Sequence, residues 1–253
     1  MTEPTTPLPS GSINAEPPFL PRLGDDSADR QVPVGITGVI EAMLRSPRRI
    51  IFQLQQGQAR RVTISLVIIG FVCSLTYGVI VGSFSGEAQW WAAPIKISLG
   101  MFCSALICLP SLYIFACLGG SQARLSEVLG LLFALVALTT LLLIGFSPVA
   151  WIFSQSTQSV AAMGALHLVF WLTAVVFGAC FLANAFYQLG CRSVAGIKLW
   201  LVIFVLVTLQ MTSALRPLLG TSDEFLPKEK KFFLDHWNEC LKQKPPTRGA
   251  QPW

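Results

Sequence analysis

An all-α polytopic transmembrane bundle of about five spanning helices is the fold class this sequence predicts, and three observations predict it. The chain of 253 residues is 53% hydrophobic and only 12% charged, with a mean hydropathy of +0.61, whereas a soluble domain of this size carries roughly a quarter charged residues. Most of its charge sits in residues 1–61 and 216–253. Between them lie five apolar runs, at about 62–84, 93–118, 125–146, 160–187 and 197–219. Each reaches the roughly 20 residues that a helix needs to cross a hydrocarbon core about 30 Å thick.

The first 33 residues hold seven prolines among scattered Thr, Ser and acidic groups. That composition buries too little apolar surface to offset chain entropy, so residues 1–34 are expected to form a disordered Pro-rich tail. Residues 35–61 differ. Val39, Met43, Ile50, Ile51 and Leu54 recur near helical spacing beside the basic run Arg45-Ser46-Pro47-Arg48-Arg49, which predicts a basic amphipathic segment lying along an anionic leaflet. On that reading Arg45, Arg48 and Arg49 are candidate functional residues. As topology determinants under the positive-inside rule they need no further role.

The run at 62–84 starts too far from Met1 and is too long for a cleaved secretory signal. It carries Gly78 and Gly82 as a GxxxG pair, and the second run continues the small-residue logic with Gly100 and Ser104. Such faces are seams within the bundle or the contact of a homo-oligomer. Pro110-Ser111 is expected to bend the second helix, the hydroxyl satisfying a freed carbonyl. The connections, at 85–92, 119–124, 147–159 and 188–196, leave no room for a soluble domain, so consecutive helices are antiparallel neighbours. In lipid every backbone group must be bonded internally, which favours helices over strands of equal apolarity.

Arg60 and Arg61 before the first span, Arg124 in the second loop, and Arg192 and Lys198 after the fourth span fall on one side with Arg45, Arg48 and Arg49. The N-terminus is therefore expected to be cytoplasmic and the C-terminal tail to lie opposite. Lys96, just inside the second span, is expected to snorkel to the interface. Trp90, Trp91 and Trp151 belong at the outer interface and Trp200 at the inner one. In the tail 220–253, residues 227–243 (PKEKKFFLDHWNECLKQ) place Phe233, Trp237 and Leu241 at i, i+4 and i+8. This predicts either a short amphipathic helix that lies on the outer leaflet or docks a partner, or a fraying tail.

Intramembrane chemistry is sparse. His167 lies about two turns into the fourth span, with Trp171 a turn further on. It is read either as a proton relay or metal ligand, or as a histidine hydrogen-bonded within the bundle, since no Asp or Glu occupies a span centre. Glu127 opens the third span as a charge favoured by the helix dipole. Seven cysteines (73, 103, 108, 117, 180, 191 and 240) include no CxxC pair. Cys103 and Cys108 point about 140° apart on one helix, so no metal site is expected. Cys191, beside Arg192, is a juxtamembrane candidate for palmitoylation. No cofactor, catalytic group or nucleic-acid partner is expected.

The stretch Leu44-Arg45-Ser46-Pro47 followed by Phe52, the arginines before the first span, and Leu118-Gly119-Gly120 leading into Leu125-Ser126-Glu127 resemble the bacterial branch of the Yip-like membrane proteins over roughly residues 38–190. The run Leu109 to Tyr113 is also similar to one in uncharacterised bacterial inner-membrane proteins. The aspartate-leucine-glycine-proline type signature of the eukaryotic Yip-like members is absent. The resemblance implies a cytosolic N-terminal tail, five spans and a bacterial inner membrane, and it supplies no catalytic residue.

Three function classes follow. A membrane scaffold or accessory protein, recruiting a protein partner through the N-terminal tail or the C-terminal helix with the lipid bilayer as its other partner, fits a bundle poor in buried charge. An oligomeric transporter or channel for a small solute would draw its polar pathway from His167, Asn184, Thr208, Gln210 and Thr212, and no inverted repeat is visible to support it. A membrane enzyme would need a nucleophile, paired carboxylates or a metal cluster, and the sequence offers none in a workable arrangement.

Overall fold

The computed structural model describes residues 23–56, 59–85, 89–157, 160–193 and 195–214, and among these it contains eight helices and no strand. Residues 1–22 of the expected tail and the expected helix at 227–243 lie outside the described residues. Three short helices come first: α1 (Ser27–Arg30), α2 (Gly35–Arg45) and α3 (Pro47–Gln55). Only Ser46 separates α2 from α3. Pro47 has no N–H with which to continue α2 and holds Ser46 out of helical geometry, at φ −141° and ψ 68°, while its own fixed φ suits the first position of α3.

Five long apolar helices follow: α4 (Ala59–Ser85), α5 (Gln89–Leu118), α6 (Leu125–Ser156), α7 (Val160–Gln188) and α8 (Ala195–Ala214). The first four are long and apolar enough to cross a membrane, and α8 contributes a shorter apolar helix. The chain is a multi-pass membrane protein with an all-α helical bundle.

α6 departs from the sequence expectation of a helix ending near Phe146. It runs unbroken through Pro148 to Ser156, a helix of 32 residues, or about 48 Å at the α-helical rise. Pro148 removes a single backbone hydrogen bond, and such losses are tolerated where neighbouring groups compensate. Beside it, the Ser147 hydroxyl donates to the Leu143 carbonyl at 3.2 Å.

α6 forms the axis of the bundle. α4, α5 and α7 pack around it, and α8 packs mainly on α5. Leu131, Leu132, Ala134, Leu135, Val136 and Ala137 of α6 are fully buried as a result. The tightest seam is where Gly78 of α4 meets Pro94 of α5. A Cβ at Gly78 would stand 2.4 Å from the Pro94 Cα, so the two backbones touch, an approach that a small residue permits. Gly82, one turn on, is also buried.

The amphipathic segment behaves differently from its sequence expectation. Val39, Met43, Ile50, Ile51 and Leu54, the stripe that points to a leaflet, are at most 3% exposed. They belong to the same core as Leu66 of α4, Leu135 of α6 and Phe186 of α7. α2 and α3 fold back on the beginnings of α4 and α6, where an apolar stripe is covered by helices in place of acyl chains. Two further side chains expected at the interface are internal. Trp200 is fully buried, and Lys96 is 3% exposed on the face of α5 turned into the bundle.

Candidate functional site at the basic end of the bundle

α4, α6 and α8 begin, and α5 and α7 end, at one end of the bundle, where Arg45, Arg60, Arg61, Arg124, Arg192 and Lys198 are all exposed. α3 lies here, and the segment before α2 is fastened across it. Residues 23–34 belong to the stretch expected to be disordered, yet they form a clasp. Asp26 caps α1, its carboxylate accepting the Ala28 N–H at 3.0 Å, the ordinary role of Asp at this position. Asp29 turns inward to 4% exposure. Its Oδ2 accepts the Gly24 N–H at 3.3 Å and lies 3.5 Å from Arg48 Nε of α3.

Further polar contacts hold the segment. Gln53 of α3 donates through Nε2 to the Arg30 carbonyl at 3.3 Å, and Arg49 donates through Nε to the Gln31 carbonyl. Arg30 folds back on its own segment, donating to the Gly24 carbonyl at 2.8 Å. Gly24 itself has φ +90°, and a Cβ there would stand 2.5 Å from the Phe52 ring of α3. Only glycine meets both conditions. Leu23 adds an apolar contact to the main core. The clasp exists because Asp29 meets Arg48 of α3, and because a carboxylate with an N–H donor and a guanidinium beside it tolerates burial.

The sequence-predicted arginines therefore divide. Arg48 and Arg49 are engaged with the clasp, whereas Arg45 points outward and pairs with Glu41 one turn back, at 3.3 Å, both side chains being mostly exposed. Asp29, Gln53 and Gly24 were not among the residues the sequence singled out. The signal that could have found them is the acidic run Asp25-Asp26-Ser27-Ala28-Asp29 preceding a basic run of equal length, with Asp26 in capping position.

Beside α3 the two loops of the basic end are joined. α5 and α7 terminate in the same cap: Ser121 N–H donates to the Ala116 carbonyl (3.1 Å) and Cys191 N–H to the Phe186 carbonyl (3.0 Å). Gly120 and Gly190 supply the left-handed residue in each, at φ +85° and +80°. Arg192 N–H then donates to the Gly119 carbonyl at 2.9 Å. The Cys191 thiol contacts the Gly119 and Ser193 carbonyls at 3.4 and 3.2 Å. Cys191 is thus 2% exposed and closed to an acyl chain, which corrects its reading as a palmitoylation candidate. In mild detergent, a thiol reagent is expected to label the exposed Cys117 at least tenfold faster than Cys191. Mass spectrometry of labelled peptides checks this, and equal rates would mean that the joined loops open readily.

The remaining candidates lie within the spans. Pro110 of α5 is followed by Ser111, whose hydroxyl donates to the Cys108 carbonyl at 2.8 Å. The same carbonyl accepts the Trp200 indole N–H of α8 at 2.9 Å, so the region of the proline is where α8 is tied to α5. His167 of α7 meets Tyr77 of α4. The Tyr77 hydroxyl and His167 Nδ1 are 2.7 Å apart, with the rings edge to face at 5.6 Å. The bond links two helices that otherwise pack on α6 more than on each other. His167 Nε2 is buried with no hydrogen-bond partner among the described residues. With the hydroxyl as donor the ring proton lies on Nε2, and with Nδ1–H as donor Nε2 is a bare acceptor. Around this pair Val81, Leu143 and Ala174 form a small second core.

The described residues contain no group of three or more His, Cys, Asp or Glu positioned to hold a metal ion. Comparison with protein families, with curated proteins and with solved structures finds no match for this chain.

Proposed function

We propose that this membrane protein is a non-catalytic scaffold or accessory protein of the Yip-like kind. On this reading it sits in a bacterial inner membrane with its basic end toward the cytoplasm, and it presents residues 1–22 to a protein partner. One observation carries the reading: residues 23–34 are fastened to α3, and α3 to the bundle core, so the N-terminal tail departs from a fixed mount at the basic end. A tail with no role in binding would not need its root anchored by a buried carboxylate. The charge-poor interior of the bundle agrees with an anchor that moves nothing across the membrane.

A second reading, an oligomeric transporter or channel for a small solute, is favoured by His167 Nε2, which has no hydrogen-bond partner among the described residues. Unpaired polar groups at membrane depth are retained where they meet a substrate. One experiment separates the two. Tagged protein is crosslinked in cells and captured as the full chain, without residues 1–22, and as His167→Ala. The scaffold reading expects captured partners to vanish with the tail and to persist in His167→Ala. Self-association alone, together with solute flux that disappears in His167→Ala, would overturn it in favour of the transporter.

A further inference from the structure

We infer that the arginine face of α3 is a binding surface for anionic phospholipid headgroups, and that the chain's own residues 24–31 occupy it as a competing cover. The inference deepens the scaffold reading, because it names what would release the mount from which the tail departs.

Three observations carry it. First, the cover reproduces the chemistry of a headgroup. Arg48 faces a carboxylate oxygen of Asp29 at 3.5 Å, and Arg49 and Gln53 donate to the carbonyls of Gln31 and Arg30. An anionic phosphodiester with its neighbouring ester carbonyls offers the same acceptors to the same donors. Secondly, α3 stands at headgroup depth. Its last residue, Gln55, lies four positions before Ala59, where the first membrane-spanning helix begins. The exposed Arg60, Arg61, Arg124, Arg192 and Lys198 stand at the same end and would draw anionic lipid toward it.

Thirdly, the cover is lightly built. Residues 23–34 meet α3 through these polar contacts and the packing of Gly24 on the Phe52 ring, whereas α3 itself is held by Ile50, Ile51 and Leu54 in the main core. The cover can therefore lift while α3 stays in place. Anionic lipid would draw Arg48 and Arg49 toward the charged surface, in competition with the buried Asp29 carboxylate.

Hydrogen exchange of the full chain in nanodiscs tests this, with phosphatidylcholine alone compared with a mixture of phosphatidylcholine and phosphatidylglycerol. The amides of Gly24, Ala28 and Asp29 are bonded within the segment, to Asp29, Asp26 and the Asp26 carbonyl, and report the local order that the Asp29–Arg48 pair holds in place. Their exchange is expected to rise about thirtyfold in the anionic discs, the effect of two arginines at a charged surface. Asp29→Asn is expected to raise exchange already in phosphatidylcholine, and Arg48→Gln with Arg49→Gln to abolish the dependence on lipid charge while α4 to α7 stay protected. Equal exchange in both discs for the unaltered chain would overturn the inference, as would an anionic-lipid effect that survives loss of both arginines. Neither outcome bears on partner capture, so the scaffold reading stands or falls separately.

Discussion

Gly78→Ala is expected to lower the unfolding free energy of the bundle by about 2–3 kcal/mol, at the upper end for an overpacked core. The reason is geometric. The added Cβ would meet the Pro94 Cα at 2.4 Å and its nitrogen at 3.0 Å, and neither atom can move aside by a rotamer change. α4 and α5 must separate along their length, which loosens the Ser74–Ser98 hydroxyl bond (2.8 Å) four residues away on each helix. Gly145→Ala in α6 is the matched control, since its Cβ meets nothing within 4 Å and alanine is the better helix former. Denaturation in mixed micelles, followed by circular dichroism, measures both. Equal stability of the two variants would mean that the α4–α5 seam is not the tight contact described above.

Trp200→Ala is expected to cost about 3–5 kcal/mol, the range for deleting a buried aromatic side chain. Trp200 is fully buried, stacks on Phe204 at 5.2 Å and donates to the Cys108 carbonyl at 2.9 Å. In a bilayer the deleted surface is not returned to water, but the atoms lining the void are left without van der Waals neighbours on one side, so the packing part of the cost remains. Trp200→Phe removes the hydrogen bond, which averages about 0.6 kcal/mol between membrane helices, together with part of the ring volume, and keeps an aromatic ring beside Phe204. The same denaturation assay reads both variants, and a loss for Trp200→Ala no larger than that for Trp200→Phe would remove α8 from the core of the fold. Because α8 is tied chiefly to α5, the alanine variant is also expected to expose Ala195–Ala214 to proteolysis before the other helices.

Much of this fold is legible from sequence, for a local reason. Twenty apolar residues prefer lipid wherever they are placed, and α4, α5 and α7 run within about five residues of the limits their apolar runs suggest. The GxxxG signal at Gly78 is legible because small residues at that spacing have few uses other than close packing. α6 outruns the end expected for it near Phe146, and its helical geometry persists through Pro148.

Composition and local pattern suffice to establish that this is a helical membrane protein, roughly where its long apolar helices begin, and that its charge gathers at the chain ends, since each follows from a window shorter than one helix. Which of those end residues are surface and which are interior is settled only by packing. The stripe of α2 and α3 is compatible with a leaflet or with a protein core, and the fold-back onto α4 and α6 selects the core. Asp29 with Arg48, Tyr77 with His167, and Trp200 with Cys108 are 19, 90 and 92 positions apart. Pairings at that distance are set by the packing of helices around α6, which no local pattern encodes.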